Sequence, residues 1–319
     1  MAPSILIVGA TGNTGASLVR VLPGLIAQVP TLKDHEIIAL TRDAQGSVAQ
    51  QLSKLPGVNV IEKNWTYIDS EWLQSHNVER LYIASHNLAT HFTDESLFFT
   101  AVLGAGVTYA VRLSTTHSNV GPASSVFYGR NHWAIENLLE QPEFDSLQWT
   151  SLQPNVFTKF LESPAIAWLQ EHRSSGTQNP LKLLCDEKLG VAAIDSDEVG
   201  IIAAHLLASA DPSRYSRQKY ILAGPSDLNG RQVVDLVEKY AETKVNDVVF
   251  RDVSWTSGLE AMGYPKYLIP SLSTAPRSSY DGRASLEQSP TSPDILKLYA
   301  PRNSAVDSLE ATLRSIQQT

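Results

Sequence analysis

A short apolar run that breaks into regularly spaced glycines, followed by strand-like and helix-like stretches in alternation, predicts an α/β fold for this 319-residue chain. The expected architecture is a doubly wound parallel sheet with a smaller α+β lobe appended. Ile5, Leu6, Ile7 and Val8 form the run, which reads as a strand buried on both faces. Glycines then stand at positions 9, 12 and 15 before a helical pattern begins. Gly9 lets the chain leave the strand sharply, Gly12 lets a phosphate approach the backbone, and Gly15 lets the helix lie close to the sheet. Free amides at the helix N-terminus would face the anion. The spacing is G-x-x-G-x-x-G, and its place directly after the first strand marks it as a phosphate-binding turn.

The elements follow in order. Leu18, Val19, Leu22, Leu25, Ile26 and Val29 lay an apolar stripe at helical spacing, and Pro23-Gly24 in its middle predicts a break or kink. Residues 36–42 read as the second strand, whose end in such a sheet faces an adenosine ribose. An acid there would bind the ribose 2′-hydroxyl and repel a 2′-phosphate, whereas Arg42 offers a planar cation suited to that phosphate. The reading is NADP(H) over NAD(H). Residues 58–62 and 80–85 read as strands three and four, with a helix around 69–75 between them. The next helix opens on cap-type residues at 93–96, buries Leu97, Phe98, Ala101 and Val102, and closes at Gly104 and Gly106. Strand five, 107–113, ends in Ser114-Thr-Thr-His, and strand six, 148–152, runs into Gln153-Pro-Asn-Val-Phe. Hydroxyls such as Ser85 and Ser114 at these strand ends sit where ligands of such sheets bind.

Past Thr158 the rhythm loosens. A helix with Phe160, Leu161, Ile166, Trp168 and Leu169 precedes a polar loop at 172–179 and a short strand at 181–184. Asp195 or Ser196 caps an apolar helix at 199–208, and 219–223 reads as a last strand returning to the sheet. An amphipathic helix around 233–237, a strand at 245–253, a Ser- and Pro-rich surface segment at 270–293 and a closing helix at 306–316 complete the chain. The expected organisation is a nucleotide-binding domain over 1–155, completed by 190–225, and a substrate-binding lobe made of 156–189 and 226–319.

Composition narrows the function. With 43% hydrophobic and 18% charged residues the chain is an ordinary globular one. A net charge of -8 and the lack of any Lys/Arg cluster argue against direct nucleic-acid contact. The single cysteine, Cys185, excludes an internal disulfide framework and a cysteine-based zinc site, and its expected role is packing. No charged-then-apolar leader precedes Ile5, and the longest apolar run, 199–207, is interrupted by His205. The expectation is therefore a cytoplasmic protein with no membrane span.

Tyr128 and His132 stand four residues apart in a stretch, 124–140, that reads as a helix after strand five, so they share one face. They are the candidate catalytic pair. A tyrosine with a pKa of about 10 needs a neighbouring cation to serve as an acid near neutrality, while a histidine titrates there unaided. The competing interpretation is that Tyr128 packs and His132 is a satisfied polar residue. His86, His91 and His117 lack the H-x-x-x-H or clustered-carboxylate pattern of a metal site, so no metal is expected. His86 and His117 follow strands four and five and are better placed to meet cofactor or substrate.

Four segments together resemble the NmrA-like group of atypical short-chain dehydrogenase/reductases: Gly9-Ala-Thr-Gly-Asn-Thr-Gly15, Leu40-Thr-Arg42, Leu152-Gln-Pro-Asn-Val-Phe157 and Ala193-Ile-Asp-Ser-Asp-Glu-Val-Gly200. The likeness covers roughly residues 4 to 255. It implies a Rossmann-type domain that binds NADP(H) and a smaller substrate lobe. By matching position, Gly9, Thr11, Gly12, Asn13, Thr14, Gly15 and Arg42 would hold the adenosine diphosphate, and Pro154, Asn155 and Phe157 would approach the nicotinamide. One departure stands out: short-chain dehydrogenases carry Tyr-x-x-x-Lys, and here the pattern is Tyr128-Gly-Arg-Asn-His132. The resemblance spans isoflavone-reductase-like enzymes and redox-sensing regulators without turnover. The expected function is an NADPH-dependent reductase of a hydrophobic, aromatic or polycyclic molecule of the kind made in secondary metabolism. Its substrate region would carry Phe157, Phe160, Trp168, Trp255 and Tyr264. The alternatives are an NADP(H)-sensing regulator and an NADP(H)-binding enzyme of a net redox-neutral cyclisation or isomerisation.

Overall fold

A computed structural model of the chain describes residues 2–318. Its first half alternates strictly: β1 (Ser4–Val8), α1 (Gly15–Ile26), β2 (Glu36–Thr41), α2 (Ser47–Leu52), β3 (Val58–Glu62), α3 (Ser70–Ser75), β4 (Val78–Ile83), α4 (His91–Ala105), β5 (Tyr109–Leu113), α5 (Phe127–Leu139) and β6 (Gln148–Pro154). The second half continues through α6 (Thr158–Ser175), β7 (Leu181–Lys182), α7 (Ser196–Leu207), β8 (Gln218–Leu222), α8 (Gly230–Ala241) and β9 (Val248–Val249). Four further helices close the chain: α9 (Ile269–Leu272), α10 (Arg277–Tyr280), α11 (Pro293–Leu298) and α12 (Ala305–Gln318).

The main sheet has seven strands in the order β3-β2-β1-β4-β5-β6-β8, all parallel. Chain order reverses between β1 and β4, and that reversal opens a crevice at the carboxyl ends of the strands. The doubly wound α/β class predicted from the sequence is the one found. Apolar strands such as Ile5–Val8 are buried because helices cover both faces. On one face α1 and α7 pack over Ile5, Ile7, Ile37 and Tyr82; on the other α4 and α5 cover Leu6, Val8, Leu81 and Trp149. A third core, built by α6, α8, α12 and the small β7-β9 sheet, buries Leu161, Leu169, Val233, Val237, Leu309 and Leu313 beside the main sheet. Cys185 lies in that core, fully buried.

Several expectations need correction. Pro23 does not break α1, which continues to Ile26. An interior proline costs about 3 kcal/mol, but Leu18, Val19, Leu22 and Ile26 are all buried on that helix at about 1.5–3 kcal/mol each, so packing wins. The strand expected over 245–253 shrinks to Val248–Val249, because Arg251 adopts φ +57° and its bonds and those of Asp252 to Cys185 and Leu183 leave the regular register of β7. Segment 270–293 is not a surface run. Ser278, Ser279, Ala284 and Ser289 are buried in it, and its backbone is tied to the sheet side of the molecule, with Asn119 Nδ2 donating to the Ala275 carbonyl at 3.1 Å. The chain after it also returns to the main sheet. Ser292 Oγ accepts from the Ile221 amide at 2.9 Å, Thr291 Oγ1 accepts from the Ala223 amide at 2.8 Å, and Ile295 joins the core under α7. Residues 291–299 thus pack against the main sheet.

Candidate active site

The crevice at the β1/β4 reversal opens into a cavity of about 1220 Å³. Every strand from β1 to β6 delivers its carboxyl end to the wall: Gly9, Arg42, Glu62, Ser85, Ser114 and Asn155 among them. Typical small-molecule clefts are roughly 300–1,000 Å³, so this one has room for a dinucleotide and a second molecule.

One end of the cavity is the glycine turn. Gly9 adopts φ +82°, which L side chains rarely adopt, and the Gly12 amide closes the turn on the Gly9 carbonyl at 3.0 Å. A Cβ on Gly15 would lie 2.2 Å from the Gly9 oxygen and 2.8 Å from Ala10 Cα, so the third glycine is required by closure of the turn on itself. Helix packing makes its own demand at Gly200 of α7, where a Cβ would come within 2.1 Å of the Thr14 carbonyl. Thr14 turns its hydroxyl inward to Tyr82 Oη at 2.6 Å, and Thr11 Oγ1 meets Thr41 Oγ1 at 3.3 Å. Thr14 therefore faces the cavity with its backbone only, whereas Asn13 and the glycines present an open, amide-rich surface to an anion. Arg42 follows β2 directly and its exposed guanidinium has no partner among the described residues. Lys63, half-buried after β3, lines the wall beside it with Asn64 and Trp65. The sequence reading missed these three, although the argument that singled out Arg42, position at a strand end, applies equally to Lys63.

The other end mixes aromatic and hydroxyl groups. Asn155 is buried, with Nδ2 donating to the carbonyls of Ala192 and Ala284 at 3.1 Å each; its Oδ1 is thereby fixed facing away from both and has no partner. Ser114 Oγ is also buried and unpartnered. Two unpartnered polar atoms thus belong to residues of one cavity wall. Pro154 forms the wall at the end of β6. Phe157 and Phe160 stack nearly parallel, 11° apart with centroids 6.4 Å from each other, and Trp255 adds a further exposed ring. Trp168 and Tyr264, grouped with these aromatics from the sequence, lie elsewhere: Trp168 in the third core and Tyr264 against Phe127, Leu259 and Leu272.

Behind this end lies a buried polar network centred on Arg112 of β5. Its guanidinium donates to Glu95 Oε1 at 2.8 Å, Ser151 Oγ at 3.1 Å, Glu136 Oε1 at 3.4 Å and His132 Nδ1 at 2.9 Å. Arginine can only donate, so His132 Nδ1 is the acceptor and its proton sits on Nε2, which donates to Asn87 Oδ1 at 3.2 Å. Burial, and then the Arg112 charge, hold the His132 pKa well below the usual imidazole value. Glu95 is driven upward by burial, but the Arg112 charge and the His91 hydrogen bond outweigh this and keep it well below the carboxylate range. Ser85 lines the cavity yet gives its hydroxyl hydrogen to Glu95 at 2.7 Å. Tyr128, one turn before His132, also lines the cavity; burial pushes its pKa up to about 12, with the Thr115 hydroxyl as a partly offsetting partner. His86 reaches the cavity wall against Trp65, whereas His117 is exposed and bonded to Gln153 at 2.8 Å.

Comparison with known proteins places this geometry. A sequence model described as the NmrA-like family matches residues 1–301. An NAD(P)H azoreductase of Xenophilus azovorans is 26% identical over 265 residues, which cover 83% of each chain. Among solved structures, an NADPH-dependent quinone oxidoreductase of Escherichia coli complexed with NADPH is 21% identical, with a TM-score of 0.67 over 96% of this chain and 99% of its own. The negative transcriptional regulator NmrA in complex with NADP is 14% identical, with a TM-score of 0.70 over 99% and 97% of the two chains. At such identities the structural likeness speaks for the fold.

Proposed function

The chain belongs to the NmrA-like family, and within it we propose that this protein is an NADPH-dependent reductase of an aromatic small molecule. The observation that carries the reading is the continuous cavity: an anion-receptive glycine turn and an unpaired Arg42 at one end, and orphaned Ser114 and Asn155 beside an aromatic wall at the other. A regulator that only senses a dinucleotide has no need of the aromatic wall formed by Phe157, Phe160 and Trp255. The azoreductase and the quinone reductase among its relatives support the same reaction class.

The residues fit NADP(H). The turn would hold the diphosphate and Arg42, with Lys63 next to it, the 2′-phosphate. Asn155 Oδ1 and Ser114 Oγ would take the carboxamide end. Bound NADPH supplies a hydride. The chain then has to seat the acceptor against the nicotinamide, exclude water and stabilise charge on the acceptor's heteroatom. Phe157, Phe160 and Trp255 provide an apolar seat for a planar ring. Tyr128 keeps its proton throughout the neutral range and donates a hydrogen bond from Oη to the acceptor atom. His132 is not the acid: a proton on Nδ1 would point at the Arg112 guanidinium, so it serves to position the wall around Asn87 and Tyr128.

The test is titration with NADPH and NADH followed by nicotinamide fluorescence, then a screen of quinones and azo dyes for consumption of NADPH. Wild type is expected to prefer NADPH, and Arg42→Ala to lose about tenfold or more of that affinity with NADH binding unchanged. Tight binding with no turnover of any acceptor would favour the regulator reading, and turnover that changes no product mass would favour isomerisation.

A further inference from the structure

The glycine turn meets one side-chain cation, and it comes from the other lobe. Lys159, in the first turn of α6, places Nζ 3.0 Å from Oδ1 of Asn13, across 146 residues of chain. Among the described residues no other lysine or arginine makes a hydrogen bond to residues 9–15. The contact contributes little to the fold, because an exposed ammonium bonded to a neutral amide competes with water. Arg42 and Lys63 cannot serve a diphosphate at the turn if they take the 2′-phosphate beyond β2 and β3. From these facts, and resting on the NADP(H) reading above, we propose that Lys159 is a cofactor ligand: its ammonium leaves Asn13 to pair with the diphosphate, so that the second lobe clamps the cofactor seated on the first.

The chemistry suits the place. Backbone amides at a glycine turn offer directional hydrogen bonds but only a partial positive charge. A diphosphate brings two negative charges into a chain that already carries a net charge of -8. A lysine ammonium, compact and on a flexible stem, is a point charge that follows the phosphate as the cleft fills. Asn13 serves as its resting partner: a neutral acceptor holds the ammonium over the turn without competing as a carboxylate would. Lys159 also sits between Phe157 and Phe160 in sequence, so the residue that grips the diphosphate is covalently flanked by the aromatic wall of the other end.

The experiment compares wild type with Lys159→Met, which keeps the stem and removes the charge, and Lys159→Arg, which restores it. NADPH binding is measured by fluorescence titration at several salt concentrations, alongside 2′-AMP, which carries the adenosine and 2′-phosphate but no diphosphate. The proposal expects NADPH to bind Lys159→Met about tenfold more weakly, with a shallower salt dependence, largely recovered in Lys159→Arg, while 2′-AMP binds all three alike. NADPH affinity within twofold of wild type in Lys159→Met, or an equal loss for 2′-AMP, overturns it and leaves the NADP(H) reading intact. Wild type that binds neither NADPH nor NADH overturns both.

Discussion

At the scale of single residues, burial and the Arg112 charge together set the protonation of Glu95 and His132. Glu95 and His132 both have folded-state pKa values below their ordinary ones, so both favour the fold at higher pH. For His132 the unfolded chain binds a proton below about pH 6.5 and the folded one does not; stability present above that value is therefore lost as pH falls, at up to ~1.4 kcal/mol per unit. Urea unfolding between pH 7.5 and 5 is expected to show this slope in wild type and a shallower one in His132→Gln, whose amide oxygen still accepts from Arg112. Equal slopes would mean that His132 is protonated beside the guanidinium. Tyr128 calls for a different measurement. As a hydrogen-bond donor with a pKa pushed up to about 12, its loss in Tyr128→Phe should lower kcat about 10²-fold with NADPH affinity kept, and wild-type kcat should show no tyrosine limb below pH 10. A kcat that falls with a pKa near 7 would restore an imidazole acid. The pairing of Tyr128 and His132 on one face was legible from their spacing. The difference between their surroundings was not, since Arg112 reaches His132 from β5; the trace it leaves in the sequence is a charged residue inside the otherwise apolar run 109–113.

At the scale of elements, legibility followed how local each cause was. The buried strands declared themselves by apolar runs, and the turn by glycines whose need arises within seven residues: a Cβ on Gly15 collides with Gly9 itself. One helix start was equally readable, since the Asp195 side chain accepts from the Asp197 amide at 2.9 Å before α7, whereas α4 begins at His91, ahead of the cap-type residues 93–96 and without a side-chain cap. Misreadings occurred where a distant partner decides. Pro23 signals a break that the buried face of α1 overrides. The apolar residues of 245–253 imply a strand, but regular pairing covers Val248–Val249 alone, and Arg251 turns to φ +57° while it and Asp252 still bond to Cys185 and Leu183. The serines of 270–293 suggest solvent, yet Ser271 Oγ caps α5 by accepting from the Phe127 amide at 2.7 Å and donating to the Ser125 carbonyl at 2.7 Å, so this segment closes one side of the candidate site. Lys159 escaped notice for the same reason: its partner lies 146 positions away.

At the scale of the whole molecule, the candidate site sets a local field against a global one. The chain carries 33 acidic and 25 basic residues, and a cofactor with a diphosphate and a 2′-phosphate is anionic as well. Uniformly spread, a net charge of -8 would repel the cofactor, and added salt would strengthen binding by screening that repulsion. The cations near the cavity are not uniformly spread. Arg42 and Lys63 line it beyond β2 and β3 and Lys159 stands over the turn; of the carboxylates in its wall, Asp94 is paired with His86 and Glu62 accepts from the Ala44 amide, whereas Asp145, Asp235 and Glu310 are paired with Arg217, Arg231 and Lys239. Screening at 0.15 M ionic strength acts over about 8 Å, so the distant negative charge fades while close contacts persist. The sign of the salt dependence therefore reports which field acts on the cofactor. NADPH affinity is expected to fall severalfold between 0.05 and 0.5 M salt, with NADH, lacking the 2′-phosphate, falling less. An affinity that rises with salt would show that Arg42, Lys63 and Lys159 do not meet the phosphates, and the glycine turn would then have to hold the cofactor through its amides alone.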